Sequence, residues 1–115
     1  MFHMLTCFNL QPGQKISDFQ RTIAGFSTHM QKLDLLQSLS PVGLRQTDTI
    51  MDTDTERDHQ YFFTMSFRDR EQCDQAVAHI YPHEEPTDHL HKAVYAGIKD
   101  QVFICWEDIE FGEDG

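Results

Sequence analysis

His59-Gln60-Tyr61-Phe62-Phe63-Thr64-Met65-Ser66-Phe67 is the most apolar and aromatic run in the chain. Tyr61, Phe63, Met65 and Phe67 alternate onto one face of an extended strand, and Phe62, Thr64 and Ser66 fall on the other. A sheet with one face in water carries charge on that face, and none occurs between Gln60 and Phe67. The stretch therefore predicts a central strand with both faces covered.

The same two-faced character recurs at both ends of the chain. Residues 2–10 read as a first strand, with Phe2, Met4, Thr6, Phe8 and Leu10 on one face and His3, Leu5, Cys7 and Asn9 on the other. Pro12-Gly13 ends it in a turn. The last strand runs from Gln101 to Asp108, with Val102, Ile104 and Trp106 opposed to Phe103, Cys105 and Glu107. Between them, residues 15–36 carry a helical stripe of Ile16, Phe19, Ile23, Phe26, Met30 and Leu33. The steps of three and four predict a long helix lying on the sheet, capped by Ser17 or Asp18. Gly25 inside it suggests close packing against a strand. Residues 38–51 suggest an edge or bulged second strand, with Pro41 and Gly43 breaking its regularity. Asp52 to Asp58 then forms a polar hairpin tip. After the central strand, Asp69 caps a short helix whose inner face is Cys73, Ala76, Val77 and Ile80. Pro86 opens another, with Leu90, Val94 and Ile98 inward.

The bulk numbers narrow the function classes. A chain of 115 residues predicts one domain, here 1–109, followed by an acidic flexible tail at 110–115. Nine basic residues against 19 acidic ones give a net charge of −10. Such a surface repels phosphate backbones and anionic lipid, so neither nucleic acid nor membrane is an expected partner. No apolar run approaches the ~20 residues of a membrane helix, and the N-terminus lacks a signal pattern. Cys7, Cys73 and Cys105 are odd in number, without metal-ligand spacing, and read as reduced, buried thiols of a cytoplasmic protein.

The order strand, long helix, strand, hairpin, strand, helices, strand is the split β-α-β plan: an α+β, ferredoxin-like fold with a four-stranded antiparallel sheet and helices on one face. The first strand and the 59–67 strand are neighbours in that plan and are expected to run parallel, which would bring His3 and His59 to one pocket mouth. The helices cover one sheet face only. Leu5, Cys7, Phe62 and either Phe103 or Trp106 need another cover, and a second copy packed sheet to sheet about a two-fold axis supplies it.

With these elements the chain resembles the dimeric α+β barrel superfamily. The resemblance rests on strand 3–10 with its early histidine, the Pro12-Gly13 turn and the long helix. It also rests on Phe67-Arg68-Asp69, His91-Lys92-Ala93-Val94 and the closing Trp106-Glu107-Asp108, and it spans residues 2–109. The chain is similar to small uncharacterised bacterial ferredoxin-like proteins and to the stress-responsive A/B barrel family. The superfamily also holds cofactor-independent monooxygenases, polyketide cyclases and lactone isomerases, so the fold does not choose the function. By resemblance, His3 matches a strand histidine that lines the ligand cavity.

Seven histidines supply the candidate chemistry. His3, His59, Tyr61 and His91 are the candidate catalytic residues, because imidazole titrates near neutrality and a tyrosine orients or donates. Leu5, Phe62, Tyr95 and Trp106 are the candidate ligand-binding residues. His79, His83, Glu84, Glu85, Asp88, His89 and His91 form a loose cluster without metal-binding spacing, so no metal and no cofactor are expected. Asp52, Asp54 and Glu56 lack the glycine and the bidentate glutamate of a calcium loop. Nucleophilic catalysis has no motif behind it: there is no serine elbow, phosphate loop or dinucleotide fingerprint. The leading expectation is a homodimer of uncharacterised function binding a small apolar or aromatic ligand. Its rivals are a cofactor-independent enzyme of the cyclase, isomerase or monooxygenase type, and a structural or regulatory interaction module.

Overall fold

The computed structural model describes residues 1–112. Its elements are β1 (Phe2–Leu10), α1 (Ile16–Lys32), β2 (Ser38–Leu39), β3 (Gly43–Leu44), β4 (Tyr61–Phe67), α2 (Arg70–Ile80), α3 (Thr87–Ala96) and β5 (Ile98–Glu107). The sheet order is β2-β4-β1-β5, with β3 also paired to β4, and every pairing is antiparallel. This is the expected α+β, ferredoxin-like plan. The fourth strand position is shared by two short pieces, β2 and β3, both on β4. Of the expected tail, Glu110 to Gly112 are exposed, and residues 113–115 lie outside the described residues.

The stripe on α1 explains why the helix lies where it does. Phe19, Ile23, Phe26 and Met30 are buried against Phe8, Phe63, Met65 and Phe67 of the sheet. Phe8 sits at the centre, 4.8 Å from Phe19 and 5.7 Å from Phe63 between ring centroids. Each such side chain contributes roughly 1.5–3 kcal/mol on leaving water. The helix is shorter than its stripe predicts: it stops at Lys32, and Asp34 turns the chain with φ of 57°. Lys15 occupies the cap position with no side-chain bond, so neither Ser17 nor Asp18 caps it. Gly25 is exposed, and a Cβ there would meet nothing within 4 Å. It makes no close approach to a strand.

Asp69 caps α2 as expected, accepting from the Gln72 amide at 2.8 Å. Gln72 is the helix's fully buried side chain. It holds the Arg68 amide, the Asp34 carbonyl and Gln37 in one network, while Val77 is exposed rather than inward.

Three further expectations are corrected. Strands β1 and β4 run antiparallel, pairing Phe2 with Phe67 and Phe8 with Tyr61. The α1 crossover returns β2 parallel to β1, and β4 then reverses against β2 to slot between them. Residues 45–58 are neither strand nor hairpin tip. They form a loop laid across the sheet face opposite the helices, over Leu5, Cys7, Phe62 and Ile104. Arg45 fastens it, donating to both carboxylate oxygens of Asp52 at 2.8 Å and to the carbonyls of Asp54 and Arg57. The chain thus covers part of its own second face, and this is why Cys7 is buried. Cys73 is half-buried and Cys105 exposed, so the expectation of three buried thiols fails at Cys105; all three are free.

Candidate functional site

The sequence-derived candidates fall in three separate places. His91 and Tyr95 lie on α3, facing a cavity of about 270 Å³ between the sheet and the helices. His3, Leu5, Phe62 and Trp106 lie on the opposite sheet face. His59 and Tyr61 lie at the far end of the sheet. Because β1 and β4 are antiparallel and His3 pairs with Ser66, His3 and His59 are separated by about seven residue steps along the strand, roughly 24 Å at ~3.4 Å per residue. They do not share a pocket mouth.

The helix-face cavity is almost wholly apolar. Met4 and Thr6 of β1, Met65 of β4, Phe26 of α1, Ala76 of α2 and Phe103 of β5 are among its walls. It opens where Val77, Tyr81, Tyr95 and Phe103 are exposed, between α2 and β5. Three polar groups reach it. Burial pushes the His91 imidazole below its ordinary pKa, so it is neutral at pH 7. Burial raises Tyr95, which keeps its phenolic proton. The two rings meet edge to face at 4.8 Å, and His91 also lies 5.6 Å from Phe26. The third group is Thr6, only 1% exposed, whose hydroxyl has no hydrogen-bond partner among the described residues. A buried hydroxyl is ordinarily paired, and leaving one unpaired costs about 1–3 kcal/mol. Thr6 was absent from the sequence-derived candidates. The alternation of β1, which puts it with Met4 and Phe8, was the signal that could have found it.

On the opposite face, strand register gathers a second group. His3 stands across from Ser66 on β4 and from Trp106 on β5. Its Nδ1 is 2.7 Å from Ser66 Oγ and its Nε2 is 2.8 Å from Asp108 Oδ1. The Trp106 indole covers the ring at 5.1 Å. Asp108 is held below the usual carboxylate range by the His3 bond and by the N-terminal ammonium at 3.3 Å.

His59 has a different neighbourhood. It is 7% exposed and donates through Nε2 to the Asp100 carbonyl at 2.6 Å, where Asp100 takes φ of 58° beside the β1–β5 register shift. Tyr61 stacks on Phe8 at 5.6 Å and is part of the core wall.

Of the remaining histidines, His29, His79 and His83 are engaged in structure, and His89 is exposed. Thr87, buried at the start of α3, meets His29 at 2.7 Å and His79 at 2.8 Å. Buried Asp88 holds His83 at 2.8 Å and Lys92 at 2.9 Å, and Lys92 first, then His83, lowers its pKa. Among the described residues, no three His, Cys, Asp or Glu side chains are placed to hold a metal ion. In the acidic loop, Asp52 binds Arg45, and Asp54 binds Arg57 at 2.7 Å and is lowered to about 2. No helix among the described residues is long and apolar enough to cross a membrane.

No protein-family profile matches the chain, and no curated protein matches it significantly. Solved structures do. The Arabidopsis thaliana protein At3g17210 superposes with a TM-score of 0.71 at 8% identity, over 97% of this chain and 99% of that one. SnoaB, a cofactor-independent oxygenase from Streptomyces nogalater, gives 0.64 at 12% identity, over 98% and 97%. A dimeric protein of unknown function and ferredoxin-like fold from Bacteroides fragilis gives 0.50 at 10% identity, over 93% and 95%. At these identities the likeness concerns the fold alone: the chain has a ferredoxin-like α+β fold.

Proposed function

We propose that the protein is a cytoplasmic homodimer that binds a small, mainly apolar or aromatic ligand bearing a hydroxyl or carbonyl oxygen. The observation that carries this reading is the unpaired, buried Thr6 hydroxyl on the wall of an apolar cavity. An apolar cavity with a few convergent polar groups is the usual form of a small-molecule site. Thr6 either donates to a ligand carbonyl or accepts from a ligand hydroxyl. Neutral His91 supplies a second polar contact, and the exposed Tyr95 and Phe103 stand at the mouth. The volume is at the small end for such sites, which favours a one- or two-ring molecule.

The dimer rests on the second sheet face. Val102, Ile104 and Trp106 remain 37–44% exposed there, and Met51 of the covering loop is 83% exposed beside them. A second copy laid against this surface removes an apolar patch of the kind monomers rarely carry. The Bacteroides fragilis neighbour is described as dimeric, which agrees with this arrangement.

Native mass spectrometry of freshly purified protein tests both parts at once. The expected mass is twice the 13.4 kDa chain, with retained ligand or uptake of 1-naphthol as a probe. Thr6→Val keeps the shape and removes the hydroxyl, so 1-naphthol affinity should fall by up to about tenfold, the worth of one neutral hydrogen bond. Unchanged affinity in Thr6→Val rejects the site. A protein that takes up no apolar probe belongs to the interaction-module class instead.

A second reading has its own observation. Neutral His91 and protonated Tyr95 touch inside the same cavity, a base beside an acid, as proton transfer without a cofactor requires. SnoaB is a cofactor-independent oxygenase of the same fold. Loss of turnover in His91→Gln, with binding retained, separates this enzyme reading from simple binding.

A further inference from the structure

We propose that Cys73 and Cys105 are a peroxide-reactive thiol pair, which a hydroperoxide converts to a disulfide fastening α2 to β5 across the open side of the helix-face cavity. The pair borders the cavity assigned to ligand binding, but its chemistry does not rest on that assignment.

Strand register decides which way Cys105 faces. Cys105 is the direct partner of Met4 in the β1–β5 ladder, and Phe103 is the partner of Thr6. Directly paired residues project to the same face of a sheet. Met4, Thr6 and Phe103 line the cavity beneath the helices, so Cys105 stands on that face beside Met4. The proposed two-fold contact uses the opposite face, through Val102, Ile104 and Trp106, and leaves the exposed Cys105 thiol uncovered.

Cys73 reaches the same place from α2. It is half-buried and lines the cavity together with Met4. The chain enters α2 just after Phe67, which pairs with Phe2, and Phe2 pairs with Glu107 of β5. The start of α2 and the Cys105 end of β5 therefore lie at one end of the sheet. Val77, one turn further along α2, and Phe103, two residues back along β5, border the open side of the cavity. A helical turn advances about 5.4 Å and two strand residues about 6.8 Å, so the two elements keep step. The thiols also feel each other's charge: burial first, and then Cys105, pushes the Cys73 thiol above its ordinary pKa.

Both thiols are free. A disulfide brings its two Cα atoms to about 4.4–6.8 Å, and the cavity of about 270 Å³ gives α2 the room to settle toward β5. The third thiol, Cys7, is buried under the 45–58 loop on the other sheet face and takes no part.

The exposed Cys105 reacts first. Its sulfur attacks the peroxide O–O bond, the S–O bond forms, and the far oxygen leaves with the thiol proton as water or alcohol. Cys73 sulfur then displaces the sulfenic oxygen, which departs as water, and the S–S bond forms. Two thiols lose two electrons and two protons, and one hydroperoxide accepts them. In a reducing compartment such a bond is transient, as a redox-sensing pair requires.

The test treats the reduced, full-length protein with one equivalent of hydrogen peroxide and reads intact mass and peptide maps. The expected product has lost two hydrogens, carries a Cys73–Cys105 linked peptide within one chain, and keeps Cys7 as a thiol. In Cys73→Ser the sulfenic acid at Cys105 should accumulate and be trapped by dimedone. In Cys105→Ser oxidation should slow at least about tenfold, and Cys7→Ser should behave as the parent. Amide exchange in α2 should slow several-fold on oxidation, and dithiothreitol should reverse it. None of these readouts uses a ligand, so a protein that takes up no 1-naphthol leaves them standing. Linkage between chains through Cys105, or sulfinic acid at Cys105 with Cys73 still a thiol, overturns the proposal.

Discussion

At the scale of single residues, side chains that look alike in sequence do different work. His91 is kept neutral by burial, so its folded-state pKa lies below the unfolded value near 6.5. The unfolded chain then binds the extra proton more readily. His91 therefore costs nothing above about pH 6.5 and increasingly destabilises the fold as pH drops below it. Urea titrations at pH 7.5 and 5.5 should show a smaller loss of stability for His91→Gln than for the parent. Gly25 gives the opposite kind of residue effect. It is exposed within α1 with open space around its missing Cβ, so Gly25→Ala should stabilise by about 0.5–1 kcal/mol in urea unfolding. The sequence marks histidines and glycines but not which histidine is buried or which glycine is idle, because both depend on packing from other elements. Thr6 shows the same limit: its place on the core face is readable from alternation, while the lack of a partner for its hydroxyl is a property of the assembled fold.

At the scale of elements, periodicity carries real information and its failures have causes. Alternation places Tyr61, Phe63, Met65 and Phe67 on the helix face, and the stripe of α1 finds the residues that bury against them. The direction of β4 relative to β1 is not periodic information. It follows from the connections, and a parallel reading carries His3 and His59 to the wrong places. Residues 45–58 mislead for another reason: threonine alternation imitates a strand, but Arg45 binds Asp52 and the Asp54 and Arg57 carbonyls and draws the backbone into a closed loop. Arg45→Met should release that loop. Amide exchange across residues 46–58 is then expected to accelerate about tenfold or more, with β1 and β4 protection retained. Concerted loss of protection throughout the sheet would mean that the loop is part of the main cooperative unit. The Ser66–His3–Asp108 line is likewise an element-scale product. Its members are 63 and 105 residues from His3, respectively, and only strand register brings them together.

At the scale of the whole molecule, the helices and the 45–58 loop cover the sheet unequally. Ile104→Lys combined with Met51→Lys places charge in the middle of the proposed two-fold contact. Sedimentation velocity at micromolar concentration should convert a two-chain species to a single chain, while far-ultraviolet circular dichroism stays the same. A parent protein that already sediments as one chain rejects the dimer. One feature acts beyond this contact. Among the described residues β5 pairs only with β1, so its other edge from Lys99 to Glu107 presents backbone groups that no described strand pairs, beside Val102, Phe103, Ile104 and Trp106. Such an edge is a template for further strands. The net charge of −10 acts as a colloidal guard, keeping copies apart long enough for the specific pairing to win. That guard is removed near pH 4.9, where the chain carries no net charge. Turbidity should therefore peak in that narrow acid window, rise with protein concentration, and disappear when a lysine replaces Phe103 on the open edge.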